Sequence, residues 1–132
     1  MKKLKKTVKS MVAEAKTKIS EINAKEAINL FKNDDVIFID IRDIRERQKL
    51  GFIPRSFHAP RGMLEFWVDP ESPYFKSIFD SDKKYVFHCA AGWRSALAVS
   101  TLKDMCFEAT HISDGFAGWL NEKGPVEFKN KK

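Results

Sequence analysis

Residues 85–94 have the sequence Tyr85-Val86-Phe87-His88-Cys89-Ala90-Ala91-Gly92-Trp93-Arg94. The first four form a short run rich in apolar residues, which is typical of a strand covered on both faces of a sheet. Cys89 follows that run directly, and three small residues and Trp93 separate it from a segment with helical patterning, 94–105. The stretch therefore predicts a strand, a tight loop that begins at Cys89, and a helix.

The flanking sequence repeats this alternation of short strands and helices. Further strands are predicted over 36–40 and 109–113, and helices over 24–32, 43–50 and 115–123, with a helical turn over 62–68 and a loop over 51–60. Strands separated by helical crossovers predict an α/β fold, a parallel sheet flanked by helices. Ligands bind such sheets at the carboxyl ends of the strands.

The positive charge of the chain lies at its N-terminus. The net charge is +6, and residues 1–25 hold eight Lys and two Glu, so the remainder of the chain is neutral. Apolar residues recur at helical spacing from Leu4 to Ile22, which predicts an amphipathic helix. We expect three parts: a basic amphipathic helical extension over 1–18, a folded domain over 19–128, and a Lys-rich tail over 129–132.

The apolar stripe of the N-terminal helix has several potential partners. It could pack on the domain itself or on a twin subunit in a homodimer, or make peripheral contact with an anionic membrane surface. Nucleic acid is the weakest alternative, because the segment contains neither Arg nor aromatic residues. We therefore predict no nucleic-acid partner.

Composition limits the classes of protein to consider. With 132 residues, 43% of them hydrophobic, the chain has material for one core. It lacks an apolar run near the roughly 18 residues of a membrane span and the apolar core of a signal peptide, so we expect a cytoplasmic protein. Two Cys and three His at irregular spacing do not form a zinc motif, and we expect neither metal nor cofactor.

Two predicted strands end in residues that can carry chemistry. Asp40 ends one strand and Cys89 follows another, so both should lie at the same edge of the sheet. The small residues after Cys89 would let backbone N–H groups turn inward as an anion-binding nest, next to the positive end of a helix dipole. A thiol in that place is stabilised as a nucleophilic thiolate, and no separate base is required.

The remaining candidate side chains have simpler interpretations. Cys106 lies about 18 Å along the helix from the loop, so we expect it to pack in the interior and not to resolve a Cys89 disulfide. His88 should point to the opposite face of the sheet from Cys89. His58 and His111 have no partners at diagnostic spacing, and Trp93 is either a wall of the site or an exposed aromatic.

From about Ile19 to Glu127 the sequence resembles the rhodanese family of single-domain sulfurtransferases. Three stretches carry the likeness: Asp40-Ile41-Arg42-Asp43-Ile44-Arg45-Glu46, the Cys89–Arg94 loop, and Asp114-Gly115-Phe116-Ala117-Gly118-Trp119. The resemblance implies a rhodanese-like domain over 19–128. It also implies that Cys89 accepts sulfur, that Ala90, Ala91, Gly92, Trp93 and Arg94 surround the persulfide, and that Asp40 and Arg42 support the site or form a structural ion pair.

This resemblance implies transfer of a sulfane sulfur from a donor such as thiosulfate or a persulfide to a thiol or cyanide acceptor. Alternatives are a Cys-based phosphatase or arsenate reductase of the same fold, and a regulatory module that holds a persulfide without turnover. The related phosphatases have one more residue between Cys and Arg, so the four residues between Cys89 and Arg94 favour sulfur. Ala90 stands where thiosulfate-using members have a basic residue, which leaves the preferred donor open.

Overall fold

A computed structural model describes residues 1–129, so the predicted 129–132 tail lies outside the described residues except for Lys129. Five parallel strands form one sheet in the order β1-β5-β4-β2-β3. The strands are β1 (Glu21–Ile22), β2 (Val36–Asp40), β3 (Phe57–His58), β4 (Lys84–His88) and β5 (Thr110–Ile112). The helices are α1 (Val8–Lys18), α2 (Ala24–Leu30), α3 (Ile44–Leu50), α4 (Leu64–Val68), α5 (Trp93–Asp104) and α6 (Gly115–Asn121). Two 3₁₀ turns cover Arg61–Met63 and Ser77–Phe79. The predicted α/β class with a parallel sheet is confirmed.

The sheet separates two apolar clusters. On one face, Ile39 and Phe87 pack with residues of α4 and α5. On the other face, Phe38 and Val86 pack with residues of α2 and α6, including the fully buried Trp119. Neighbouring strand residues thus serve opposite faces, as the period of two requires. Helices cover both faces, which explains why β2 and β4 have apolar runs instead of an alternating pattern.

Strands β2 and β4 are neighbours at the centre of the sheet. Their register pairs Asp40 with His88, so both strands end at the same level. Cys89 is therefore next to the end of β2, as the sequence predicts.

Two strands were missed by the sequence patterns. Residues 51–60 were predicted as a loop, but Phe57–His58 forms β3 at one edge of the sheet, paired with β2. At the other edge, Glu21–Ile22 forms β1 and pairs with β5. Each has only two residues, which is too short for a periodic pattern to be visible in the sequence.

Helix α1 is shorter than its apolar pattern suggests. It begins after the Thr7 cap and ends at Lys18, so Leu4 precedes it and Ile22 belongs to β1. Thr7 and Ser10 cap each other's backbone N–H groups, which fixes the start. The helix lies on α5, where it buries Val12 and Ala15 against Ala96. Among residues 1–129 the helices are all too short or too polar to cross a bilayer.

Packing of α1 on α5 predicts different costs for the same substitution at two positions of α1. We expect Val12→Ala to lower the free energy of unfolding by about 2 kcal/mol, because two buried methyl groups are lost and a cavity remains. Val8 is 53% exposed on the same helix, and Val8→Ala serves as the matched control, with an effect below about 0.5 kcal/mol. Chemical denaturation measures both. Equal effects would show that α1 does not pack on α5 in solution.

Candidate active site

Three hydrogen-bonding groups converge on the sulfur of Cys89. The backbone N–H of Gly92 lies 3.1 Å from Sγ, and the backbone N–H of Ser95 lies 3.4 Å from it. The Ser95 hydroxyl is a third neighbour, also at 3.4 Å. The residue is 1% exposed, so these groups replace water around the sulfur. Gly92 contributes the loop amide of this set, and α5 contributes the amide and hydroxyl of Ser95.

This environment favours the thiolate. Burial raises the pKa of the Cys89 thiol, but hydrogen bonds from Ser95 and from the loop amides outweigh burial and bring the pKa below its ordinary value. The Ser95 N–H belongs to the first turn of α5, so the positive end of the helix dipole also lies next to the sulfur. Cys89 is therefore suited to act as a nucleophile.

The loop owes its shape to Gly92 and to helix α6. Gly92 has φ +98°, in the left-handed region, and a Cβ there would overlap the backbone carbonyl of Ser113. The carbonyls of Cys89 and Ala90 accept hydrogen bonds from the N–H groups of Phe116 and Ala117, at 2.9 and 3.0 Å. These bonds turn the loop carbonyls away from the sulfur and toward α6.

Trp93 and Arg94 begin α5, at the end of the loop that starts with Cys89. Trp93 is 48% exposed. The Arg94 guanidinium makes two hydrogen bonds with the Glu46 carboxylate, at 2.9 and 3.1 Å. Glu46 thus holds the arginine at the rim of the loop.

Asp40 and Arg42 form a fully buried ion pair. Arg42 donates to both carboxylate oxygens of Asp40, at 3.0 and 2.8 Å, and to the Gly51 carbonyl. Arg47 adds a further bond to Asp40 at 3.1 Å. Burial raises the pKa of Asp40, but Arg42 and His88 more than offset it, so the pKa lies well below its usual range. The ion pair thus lies beside the end of β4. Its hydrogen bond to the Gly51 carbonyl fixes the residue that follows α3.

The histidines differ in their surroundings. His88 stacks on Phe116, on the opposite face from Cys89, as expected. His111 has no partner at diagnostic spacing, but in the fold its ring lies 2.7 Å from the Ser95 hydroxyl and 2.7 Å from the Glu21 carboxylate. Glu21 and His111 are 90 residues apart, so local spacing could not reveal the contact. The available signal was the position of His111 in a predicted strand, facing the same side as the helix after the loop.

The second cysteine differs from the prediction. Cys106 is exposed in the turn after α5, with φ 67°, and is not packed in the interior.

The side chains of residues 1–129 form no cluster of three His, Cys, Asp or Glu that could hold a metal ion.

Comparison with known proteins agrees with this geometry. The model of the rhodanese-like domain family matches residues 23–122. The thiosulfate sulfurtransferase GlpE of Glaesserella parasuis is 25% identical over 110 residues, which is 83% of this chain and 94% of that protein. The solution structure of the polysulfide-sulfur transferase homodimer of Wolinella succinogenes is 29% identical, with a TM-score of 0.68, over 92% of this chain and 88% of that one.

A structure from Rhodopseudomonas palustris CGA009 has higher similarity. It is 47% identical with a TM-score of 0.93, and it covers 96% of this chain and 98% of that chain. That protein is described as one of unknown function and a possible tyrosine phosphatase. Its match extends beyond residues 23–122, so most of the N-terminal segment has a counterpart there.

Proposed function

Because the chain belongs to the family of rhodanese-like domains, we propose that it is a sulfurtransferase that carries sulfur as a persulfide on Cys89. The observation that supports this most is the convergence of the Gly92 N–H, the Ser95 N–H and the Ser95 hydroxyl on one sulfur atom. Donors fixed in this way stabilise an anion at the place where the charge develops.

In the first step, the Cys89 thiolate attacks the sulfane sulfur of a donor. With thiosulfate, a bond forms between Sγ and the sulfane sulfur, the sulfur–sulfur bond of thiosulfate breaks, and sulfite leaves with the electron pair. The enzyme then holds a persulfide anion, and total charge is unchanged. Three small residues after Cys89 leave room for the additional sulfur atom beside the loop amides.

In the second step, an acceptor attacks the outer sulfur. Cyanide takes that sulfur as thiocyanate, and the electron pair of the broken bond returns to Sγ as thiolate. A thiol acceptor would leave as a persulfide in the same way. The hydrogen bonds that stabilise the thiolate also make Cys89 a better leaving group in this step.

The burial of Cys89 supports a small donor, such as thiosulfate or a polysulfide. A bulky donor would have to displace the loop to reach the sulfur. Within this proposal the protein works in the cytoplasm, where unpaired thiols such as Cys89 and Cys106 stay reduced. A homodimer remains part of the proposal, and the homodimeric Wolinella succinogenes protein supports it.

A cysteine phosphatase is the second candidate, favoured by the description of the Rhodopseudomonas palustris protein. Two features of the site oppose it. The loop has four residues between Cys89 and Arg94, one fewer than in the related phosphatases. Arg94, which would have to bind the phosphate, is engaged by Glu46.

A direct comparison of two reactions tests the proposal. We expect thiocyanate formation from thiosulfate and cyanide, and negligible hydrolysis of p-nitrophenyl phosphate, because the loop itself has no Asp, Glu or His side chain to protonate a leaving oxygen. Colorimetric assays under identical conditions measure both rates.

The outcomes separate the three candidates. Faster ester hydrolysis than sulfur transfer would favour the phosphatase. If the protein gains the mass of one sulfur atom from thiosulfate but forms no thiocyanate, it is a module that holds a persulfide, and the proposed turnover is wrong.

A further inference from the structure

A continuous series of polar side chains leads away from the Cys89 sulfur on the side of β5. The Ser95 hydroxyl lies 3.4 Å from Sγ and 2.7 Å from Nδ1 of His111. Nε2 of the same imidazole lies 2.7 Å from Oε2 of Glu21. Each group is within hydrogen-bond distance of the next, from the sulfur to the edge strand β1.

The donors and acceptors of this series fix its direction. The Glu21 carboxylate can only accept, so Nε2 of His111 carries the hydrogen. In a neutral ring Nδ1 is then an acceptor, and it accepts from the Ser95 hydroxyl. The serine oxygen is left to accept from the Cys89 thiol. All four groups are satisfied when Cys89 is protonated and His111 is neutral.

Moving one proton along the series gives a second arrangement that is also satisfied. The thiol proton passes to the Ser95 oxygen, and the serine proton passes to Nδ1 of His111. Cys89 is then a thiolate that accepts from the serine hydroxyl, and His111 is an imidazolium that donates to Ser95 and Glu21. No atom needs to move by more than the transfer of a proton.

We propose that His111 and Glu21 are positioning residues that draw the proton of Cys89 through Ser95 and keep the sulfur ready as a thiolate. The inference rests on the proposed function, since it names how that same nucleophile is prepared. It adds a residue pair from β5 and β1 that lies outside the loop between Cys89 and Arg94.

Burial supports a path from the interior to solvent. Ser95 and His111 are fully buried, whereas the Glu21 side chain is 28% exposed. Buried groups exchange protons with water slowly unless a chain of hydrogen bonds connects them to the surface. The Glu21 carboxylate supplies that connection at the sheet edge.

The charged groups around His111 are consistent with this role. Glu21 of β1 is its register partner, Lys16 of α1 lies 3.3 Å from the same carboxylate oxygen, and α5 contributes Ser95. On the β4 side its register partner is the apolar Phe87. Burial lowers the pKa of His111 below its ordinary value and Glu21 opposes this effect, so the imidazolium form depends on the Glu21 carboxylate that accepts from Nε2.

The relay matters most when the acceptor is a thiol. Attack by a thiol on the outer sulfur releases a persulfide anion and leaves the thiol's proton on Cys89. That proton must leave before the next donor can be attacked. With cyanide no proton enters the cycle, and the thiolate is regenerated directly.

Titration of the thiolate tests the relay independently of sulfur transfer. The ultraviolet absorbance of the Cys89 thiolate would be followed against pH in the full chain with Cys106→Ser as background, after subtraction of the Cys89→Ser spectrum. We expect His111→Asn to raise the midpoint by about one pH unit, because asparagine can accept from Ser95 but cannot take a proton. At pH values below the midpoint of the parent, the rate of transfer should fall about tenfold, and further with a thiol acceptor than with cyanide.

Two further variants keep the result interpretable. Glu21→Gln, at the exposed sheet edge, should raise the midpoint by a smaller amount, and it addresses the relay even if His111→Asn does not fold. Thr110 lies on the same strand as His111, and Thr110→Val is the matched control. It removes the 2.9 Å hydrogen bond to the Ser20 carbonyl and leaves all four side chains of the relay unchanged. Its midpoint should equal that of the parent.

Unchanged midpoints in His111→Asn and Glu21→Gln would overturn the relay, and so would an equal shift in Thr110→Val. If the midpoints shift as expected but the unaltered protein moves no sulfur, the relay stands and the proposed sulfurtransferase function fails.

Discussion

Cys89→Ser removes sulfur transfer, with an expected loss of at least about 10³-fold. A serine hydroxyl in the same place stays protonated at neutral pH and forms no persulfide. The donors from Gly92 and Ser95 would remain, but they would face a weak nucleophile. Thiocyanate formation measures the rate, and intact-protein mass spectrometry after thiosulfate treatment should show no added sulfur.

The matched control for this substitution is Cys106→Ser. Cys106 is exposed at the far end of α5, so it should neither gain sulfur nor affect the rate. If the Cys89→Ser protein still acquires the mass of one sulfur while Cys106→Ser does not, the assignment of the nucleophile is wrong.

Gly92→Ala is the second substitution with a large expected effect. The backbone of Gly92 is left-handed, and a Cβ would overlap the Ser113 carbonyl, which is backbone and cannot move aside cheaply. We expect the loop to shift by about 1 Å, which lowers transfer by up to about 10²-fold, and strain of about 1–3 kcal/mol to lower the melting temperature. Rate assays and thermal denaturation measure the two effects.

Gly62→Ala gives the same chemical change at a harmless position. Gly62 lies in the 3₁₀ turn before α4, and a Cβ there meets no atom within 4 Å. Rate and melting temperature should stay close to the parent values. A Gly92→Ala protein with parental rate and stability would show that the loop does not depend on this glycine.

The central fold was predictable because its signals are long and local. β2 and β4 have runs of apolar residues, and α5 follows a loop of small residues, so the sequence indicates their type and order. The edge strands β1 and β3 have two residues each and are formed by pairing with a neighbour, which no local pattern encodes. The predicted N-terminal apolar stripe is longer than α1 for the same reason, because Ile22 keeps the helical spacing but belongs to β1.

Only the part of the site that is formed by residues close together in the sequence could be predicted. Cys89 and the amide of Gly92 lie within four residues of each other, and their relation follows from loop geometry. The contact between His111 and Glu21 depends on the placement of β1 beside β5. The bond between Arg94 and Glu46 spans 48 residues and likewise depends on tertiary structure.

The hydrogen bonds from Phe116 and Ala117 to the loop carbonyls have a thermodynamic consequence. They order the loop when the protein folds, with α6 anchored by Trp119 in the core. A donor that arrives at Cys89 therefore finds a preorganised cradle and does not have to restrict loop motion on binding. The binding free energy of even a small anion is then not used to order the loop and is available to lower the barrier to reaction. Mutations beneath α6 would weaken binding by making the loop more mobile, without altering any group that contacts the sulfur.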